Sequence, residues 1–141
     1  MEQSWDLVSL GCIMVFQIKT CTCLALIYIY RKDRAMGRGG GLLAYVSNTV
    51  KCIRRKDLED DNLEVLWLQV KGHRRWLLIG NVYRAPSSAV TWFDLFESML
   101  DKAVSEGMEM IVLGDFNCNY LEKSCANTNC ANLMQWSQVM H

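Results

Sequence analysis

The sequence predicts an α/β fold with helices packed on a sheet, from one helically spaced stretch flanked by apolar runs of strand length. Residues 42–46, 50–53, 63–70 and 76–83 are short apolar runs separated by polar turns. Residues 89–106 place apolar side chains at 92, 93, 96, 99, 100, 103 and 104, with Asp94, Glu97, Asp101 and Lys102 between them. That is the spacing of one helix face. Residues 108–113 then return to a run of strand length.

Composition bounds the alternatives. The chain has 141 residues, 15 Lys+Arg against 15 Asp+Glu, 51% apolar residues and a single Pro. A disordered or collagen-like chain is excluded, and one compact domain is expected. Neutral net charge removes bulk electrostatics as a functional clue. Seven cysteines, an odd number without any Cys-x-x-Cys spacing, read as reduced thiols of an intracellular, nuclear or cytoplasmic protein rather than as a zinc site.

Residues 7–30 are mostly apolar, but Lys19 divides them into the charge-free runs 7–18 and 20–30. Each falls short of the ~20 residues a spanning helix needs, so a place in the core is preferred and a membrane partner is not expected. Within this segment, residues 24–30 are rich in β-branched and aromatic side chains and read as a buried strand. Periodicity does not assign residues 7–18. After a glycine-rich turn, the strand at 63–70 is polar only at Glu64 and Gln69, as expected when both faces are covered. Lys71-Gly72-His73 joins it to the next strand as an antiparallel hairpin. Pro86 closes that strand, and Gly107 follows the helix as its C-terminal cap.

Chemistry concentrates at two strand ends. In Gly114-Asp115-Phe116-Asn117, extended geometry puts Asp115 and Asn117 on one side and Phe116 on the other, towards the core. A carboxylate beside a carboxamide offers a proton acceptor and a donor for a phosphate oxygen. Gly114 allows a neighbouring backbone or ligand to approach closely. In Asn81-Val82-Tyr83-Arg84-Ala85-Pro86, Asn81 and Tyr83 share a face and Arg84 stands where the chain leaves the sheet. Two such ends can line one crevice.

Asn-Val-Tyr-Arg-Ala-Pro followed by Ile-Val-Leu-Gly-Asp-Phe-Asn resembles the endonuclease/exonuclease/phosphatase superfamily. Tyr30-Arg31-Lys32-Asp33-Arg34, the Arg38-Gly39-Gly40-Gly41 segment and the run from Leu58 to Leu68 look like the endonuclease domain of non-LTR (LINE-type) retrotransposons. The resemblance covers residues 28–123. It implies a partial two-sheet sandwich with flanking helices and mostly antiparallel strands. It also implies a Mg²⁺-dependent phosphodiesterase acting on DNA, without a small-molecule cofactor. Asp115 would orient or deprotonate the attacking water, Asn117 would hold a phosphate oxygen, and Tyr83 would donate to charge developing on phosphorus. Asn81 and Arg84 would be supporting or phosphate-contacting residues. Eight basic residues between Arg31 and Lys56, against the single acid Asp33, could follow a DNA backbone.

The chain departs from this family in lacking its early Asn and metal-binding Glu and its closing Ser-Asp-His. The metal ligands are therefore unassigned, and magnesium binding is expected to be severely weakened. The expectation is an incomplete endonuclease domain with little activity of its own. The alternatives are a DNA-binding fragment that does not cut and a membrane-anchored fragment using residues 7–30. Residues 1–27 are left as an unassigned apolar segment, and residues 124–141 as a partly helical tail.

Overall fold

The computed structural model describes residues 5–10, 13–18, 27–34 and 41–117. Strands β1 (Trp5–Leu10), β2 (Ile13–Ile18), β3 (Ile27–Lys32) and β4 (Leu42–Ser47) form one sheet in the order β1-β2-β4-β3. Strands β5 (Cys52–Arg54), β6 (Glu64–Lys71), β7 (Trp76–Tyr83) and β8 (Glu109–Asp115) form a second in the order β5-β6-β7-β8. Pairing is antiparallel except for β2 with β4 and β7 with β8. Helix α1 (Thr91–Ser105) makes the crossover that the parallel β7–β8 pair requires. The fold is α/β, with two sheets, mostly antiparallel strands and, among the described residues, one helix and a 3-10 turn at Lys56–Leu58.

Strand β6 shows why the sheets stack. Val65, Leu66, Trp67 and Leu68 are consecutive and all buried, because alternate side chains enter different cores. Leu66, Leu68 and Val70 pack with Ile79 of β7 against Leu42, Ala44 and Val46 of β4, closing the two sheets on each other. Val65 and Trp67 point the other way, to Leu78, Val82 and the buried face of α1. Gly80 lies beneath the Trp67 indole, where an added Cβ would come within 2.7 Å of the ring. Glycine there is a packing requirement of the neighbouring strand.

The predicted helix is present, and Trp92, Phe93, Phe96, Met99, Leu100 and Ala103 are its buried residues. Val104, placed on the same stripe by spacing, is 57% exposed, so the buried stripe is narrower than the apolar one. Gly107, at φ +66°, donates to the Val104 carbonyl at 3.0 Å and caps the helix as expected.

Three expectations at the N-terminal side need correction or completion. Residues 27–30 do form a strand, but Ile27 and Ile29 are 57% and 61% exposed. Among the described residues β3 is an edge strand, and Tyr28 on its other face is 58% exposed as well. Residues 7–10 and 13–18, which periodicity leaves open, are strands paired as a hairpin with Leu10 opposite Ile13. No helix among the described residues is long and apolar enough to cross a membrane. The run at 50–53 is split, with Val50 buried in a turn closed by its N–H on the Ser47 carbonyl and the strand confined to Cys52–Arg54. The expected helix in residues 124–141 lies outside the described residues.

Candidate active site at the ends of two parallel strands

Gly114 brings the two motifs together. Its φ is +148°, and a Cβ there would lie 1.8 Å from the Val82 carbonyl oxygen, so only glycine lets β8 close onto β7 at this rung. The ladder continues one step beyond it, pairing Tyr83 with Asp115. Side chains of such partners leave adjacent strands, ~4.8 Å apart, on the same face of the sheet. The Arg84 N–H then donates to the Asp115 carbonyl at 2.8 Å and carries the pairing past the end of β7.

Phe116 points away and anchors this end. Its ring meets Trp92 and Phe96 edge-on, with centroids 6.4 and 5.8 Å apart. Asn117 has φ +47°, a left-handed conformation that Asn tolerates better than most side chains. Its N–H donates to Asp115 Oδ1 at 2.9 Å and its Nδ2 to the Arg84 carbonyl at 2.7 Å. Asn117 thus fixes the Asp115 carboxylate and staples the two strand ends. Both residues are exposed, and Tyr83 beside them is half-buried.

Arg84 and Asn81 lie behind the exposed edge. The Arg84 guanidinium lies 4.7 Å from the Phe93 ring centroid and 5.8 Å from that of Trp92, and its Nη1 donates to the Phe116 carbonyl at 3.3 Å. It supports the strand end from within. Asn81 is 4% exposed, in register with Leu66 and Leu113, and its Nδ2 has no partner. The structure therefore brings Tyr83, Asp115 and Asn117 to one edge and leaves Asn81 below the surface.

Two neighbours are outside the candidate site residues, although both lie in segments that carry the family resemblance. Glu64 is the cross-strand partner of Tyr83, and its Oε1 accepts from Arg34 Nε at 2.8 Å. The Arg34 guanidinium sits 5.5 Å from the Tyr83 ring centroid. The Glu64 carboxylate holds the Arg34 pKa above its ordinary value. A cleft of about 370 Å³ opens here, bounded by Arg34, Asp61, Glu64, Ala85 and Ser87. The signal in the sequence is Glu64 itself, a polar residue at the start of a mostly apolar strand.

The basic segment at 31–56 is largely neutralised within the fold. Arg31 pairs with Asp33, Arg34 with Glu64, and Arg54 with Glu59 at 2.8 Å, with Lys32 3.7 Å from the same carboxylate. Arg55 meets Asp57 at 2.6 Å and Glu106 at 2.8 Å. Lys51 and Lys56 are exposed and have no ion pair among the described residues, and Arg38 lies outside them. The clustering of cations along the chain reflects partners supplied later in sequence.

Asp115 is a single carboxylate, and among the described residues no group of three or more His, Cys, Asp or Glu side chains could hold a metal ion. A magnesium ion is usually held by one or two carboxylates with water and substrate phosphate, and Asp115 is the carboxylate of this edge that would take that part. What these residues offer is one proton acceptor beside amide and phenol donors, at an exposed edge.

Among solved structures, the chain is similar to the endonuclease domain of TRAS1, a telomere-specific non-LTR retrotransposon. The TM-score is 0.58 at 12% identity, and the match covers 81% of this chain and 52% of that one. The likeness is one of fold, and the chain spans about half the length of that structure. No family model matches the sequence, and no curated protein matches it.

Proposed function

We propose that this chain is an incomplete phosphodiester-cleaving domain that recognises DNA and has little or no nicking activity of its own. The observation that carries the reading is the register pairing of Tyr83 with Asp115, with Asn117 bonded to both strand ends. The shared fold with a retrotransposon endonuclease domain supports the choice of DNA.

Hydrolysis of a phosphodiester requires a proton to leave the attacking water and negative charge to be offset on the phosphoryl oxygens. Asp115, exposed and oriented by the Asn117 N–H, accepts from the water. Tyr83 Oη and the second Nδ2 hydrogen of Asn117 donate to phosphoryl oxygens, as fixed donors that need little reorganisation. Arg84 holds the end of β7 against α1 so that these donors keep their positions. The expectation of low nicking rests on the sequence lacking the early metal-binding Glu and the closing Ser-Asp-His of the family it resembles.

Two measurements test this. In plasmid nicking with Mg²⁺, the chain should stay near background, and robust nicking abolished by Asp115→Ala would overturn incompleteness. In NMR titration with a short DNA duplex, Tyr83 and Asn117 resonances should shift. Their failure to shift at low salt would overturn DNA recognition at this edge.

A further inference from the structure

The turn between β6 and β7 carries Lys71, Arg74 and Arg75, of which only Arg75 has an ion pair among the described residues. Lys71, His73, Arg74 and Arg75 are all exposed within this tip, and Lys51 is exposed beside it. The tip is ordered. The Gly72 N–H donates to the Arg75 carbonyl at 2.9 Å, and Lys71 is opposite Trp76 with its ammonium 5.4 Å from the indole centroid. The Lys71 N–H donates to the Lys51 carbonyl at 2.8 Å, which draws the β5 side of the sheet into the same patch. The nearby acid that pairs is Glu109, 3.1 Å from Arg75, with both side chains more than half exposed. Such a pair is worth little and yields readily to a stronger anion.

We infer that this hairpin tip is a second nucleic-acid contact, gripping a phosphodiester backbone at the opposite end of the sheet from Asp115. Strand β7 runs from Trp76 at the tip to Tyr83 at the site, roughly 23 Å at ~3.3 Å per residue. The two contacts therefore engage phosphates that are not neighbours. The tip uses ammonium and guanidinium groups on a backbone-closed turn, so it binds charge without reading bases. It makes no demand on the cleavage chemistry, and it stands or falls separately from the site at Asp115.

The test is fluorescence anisotropy in EDTA with two labelled probes, a 30-base-pair DNA duplex and a single-stranded RNA of the same length. Affinity is followed across salt concentration for the full chain and for the triple variant Lys71→Gln/Arg74→Gln/Arg75→Gln. Neutralising three phosphate contacts should flatten the slope of log K against log salt by about 2 to 3 with duplex. Affinity at low salt should fall at least tenfold with the preferred probe. The probe showing the change identifies the backbone that is gripped. A slope unchanged with both probes overturns the inference. So does an equal change from Lys56→Gln/Lys102→Gln, two exposed cations away from the tip, because net charge alone would then explain binding. Matching thermal melts confirm that the triple variant folds.

Discussion

Gly114 controls where Asp115 stands. Alanine at this position would place its Cβ against the Val82 carbonyl at an impossible 1.8 Å, so β8 must shift outward and take Asp115 with it. Gly107 is the internal comparison, since it too has a positive φ but nothing within 4 Å of where a Cβ would stand. Gly107→Ala should cost about 1 kcal/mol, from backbone conformation alone. Gly114→Ala should cost about 3 kcal/mol or more, from clash added to strain. Urea denaturation of both variants checks this, and equal losses would show that the close approach is unimportant. The same residue marks what the sequence makes legible. Glycine before Asp-Phe-Asn announces a tight approach, but only the β7 carbonyl reveals whether backbone or ligand fills the space. Asn81 shows the opposite case, because alternation gives its face and not its depth.

Arg55 adds polar ties between elements that already share one apolar core. Its guanidinium, 15% exposed, reaches Asp57 in the 3-10 turn, the Gln69 amide oxygen on β6 at 3.0 Å, and Glu106 at the end of α1. Arg55→Ala should cost about 1 to 3 kcal/mol, because several partly buried acceptors lose one donor. Arg31→Ala, which removes a pair between side chains that are 66% and 65% exposed, should cost under about 1 kcal/mol. Chemical denaturation of the two variants distinguishes them, and a smaller loss at Arg55 would refute the clamp. Helix α1 is readable from its 3.6-residue period, and β6 from its nearly unbroken apolar run. The exposure of β3 is not readable, because its composition is that of a buried strand and only sheet order reveals an edge. Nor is the neutralisation of residues 31–56, because Glu59, Glu64 and Glu106 reach those cations only after folding.

At the scale of the molecule, the two sheets are held mainly by apolar contact, and Tyr30 adds a polar tie between them. Its hydroxyl, on β3, donates to the Cys52 carbonyl on β5 at 3.1 Å. Burial, with a smaller contribution from Cys52, pushes the Tyr30 pKa up to about 12 from its ordinary 10.0. A pKa raised by folding means that the folded chain holds this proton more tightly. The stabilisation is therefore complete below pH 10 and disappears as pH rises towards 12. Tyr30→Phe should lower stability by about 1 kcal/mol at neutral pH through the lost hydrogen bond. It should also reduce the alkaline loss between pH 10 and 12, as read from urea midpoints, and an unaltered alkaline profile would exclude Tyr30 as its source.

The β7–β8 pairing has a further consequence for how the two ends of the sheet relate. β6 and β7 meet across a short turn, so their ladder is local in sequence, whereas β7 and β8 meet only after the whole of α1 has been placed between them. Closing the longer loop costs more chain entropy, and the helix packing must offset it. Loosening of α1 from the sheet therefore parts Asp115 from Tyr83 while leaving the hairpin and its charged tip paired. The charged tip and the Tyr83–Asp115 edge are thus held by different parts of the chain.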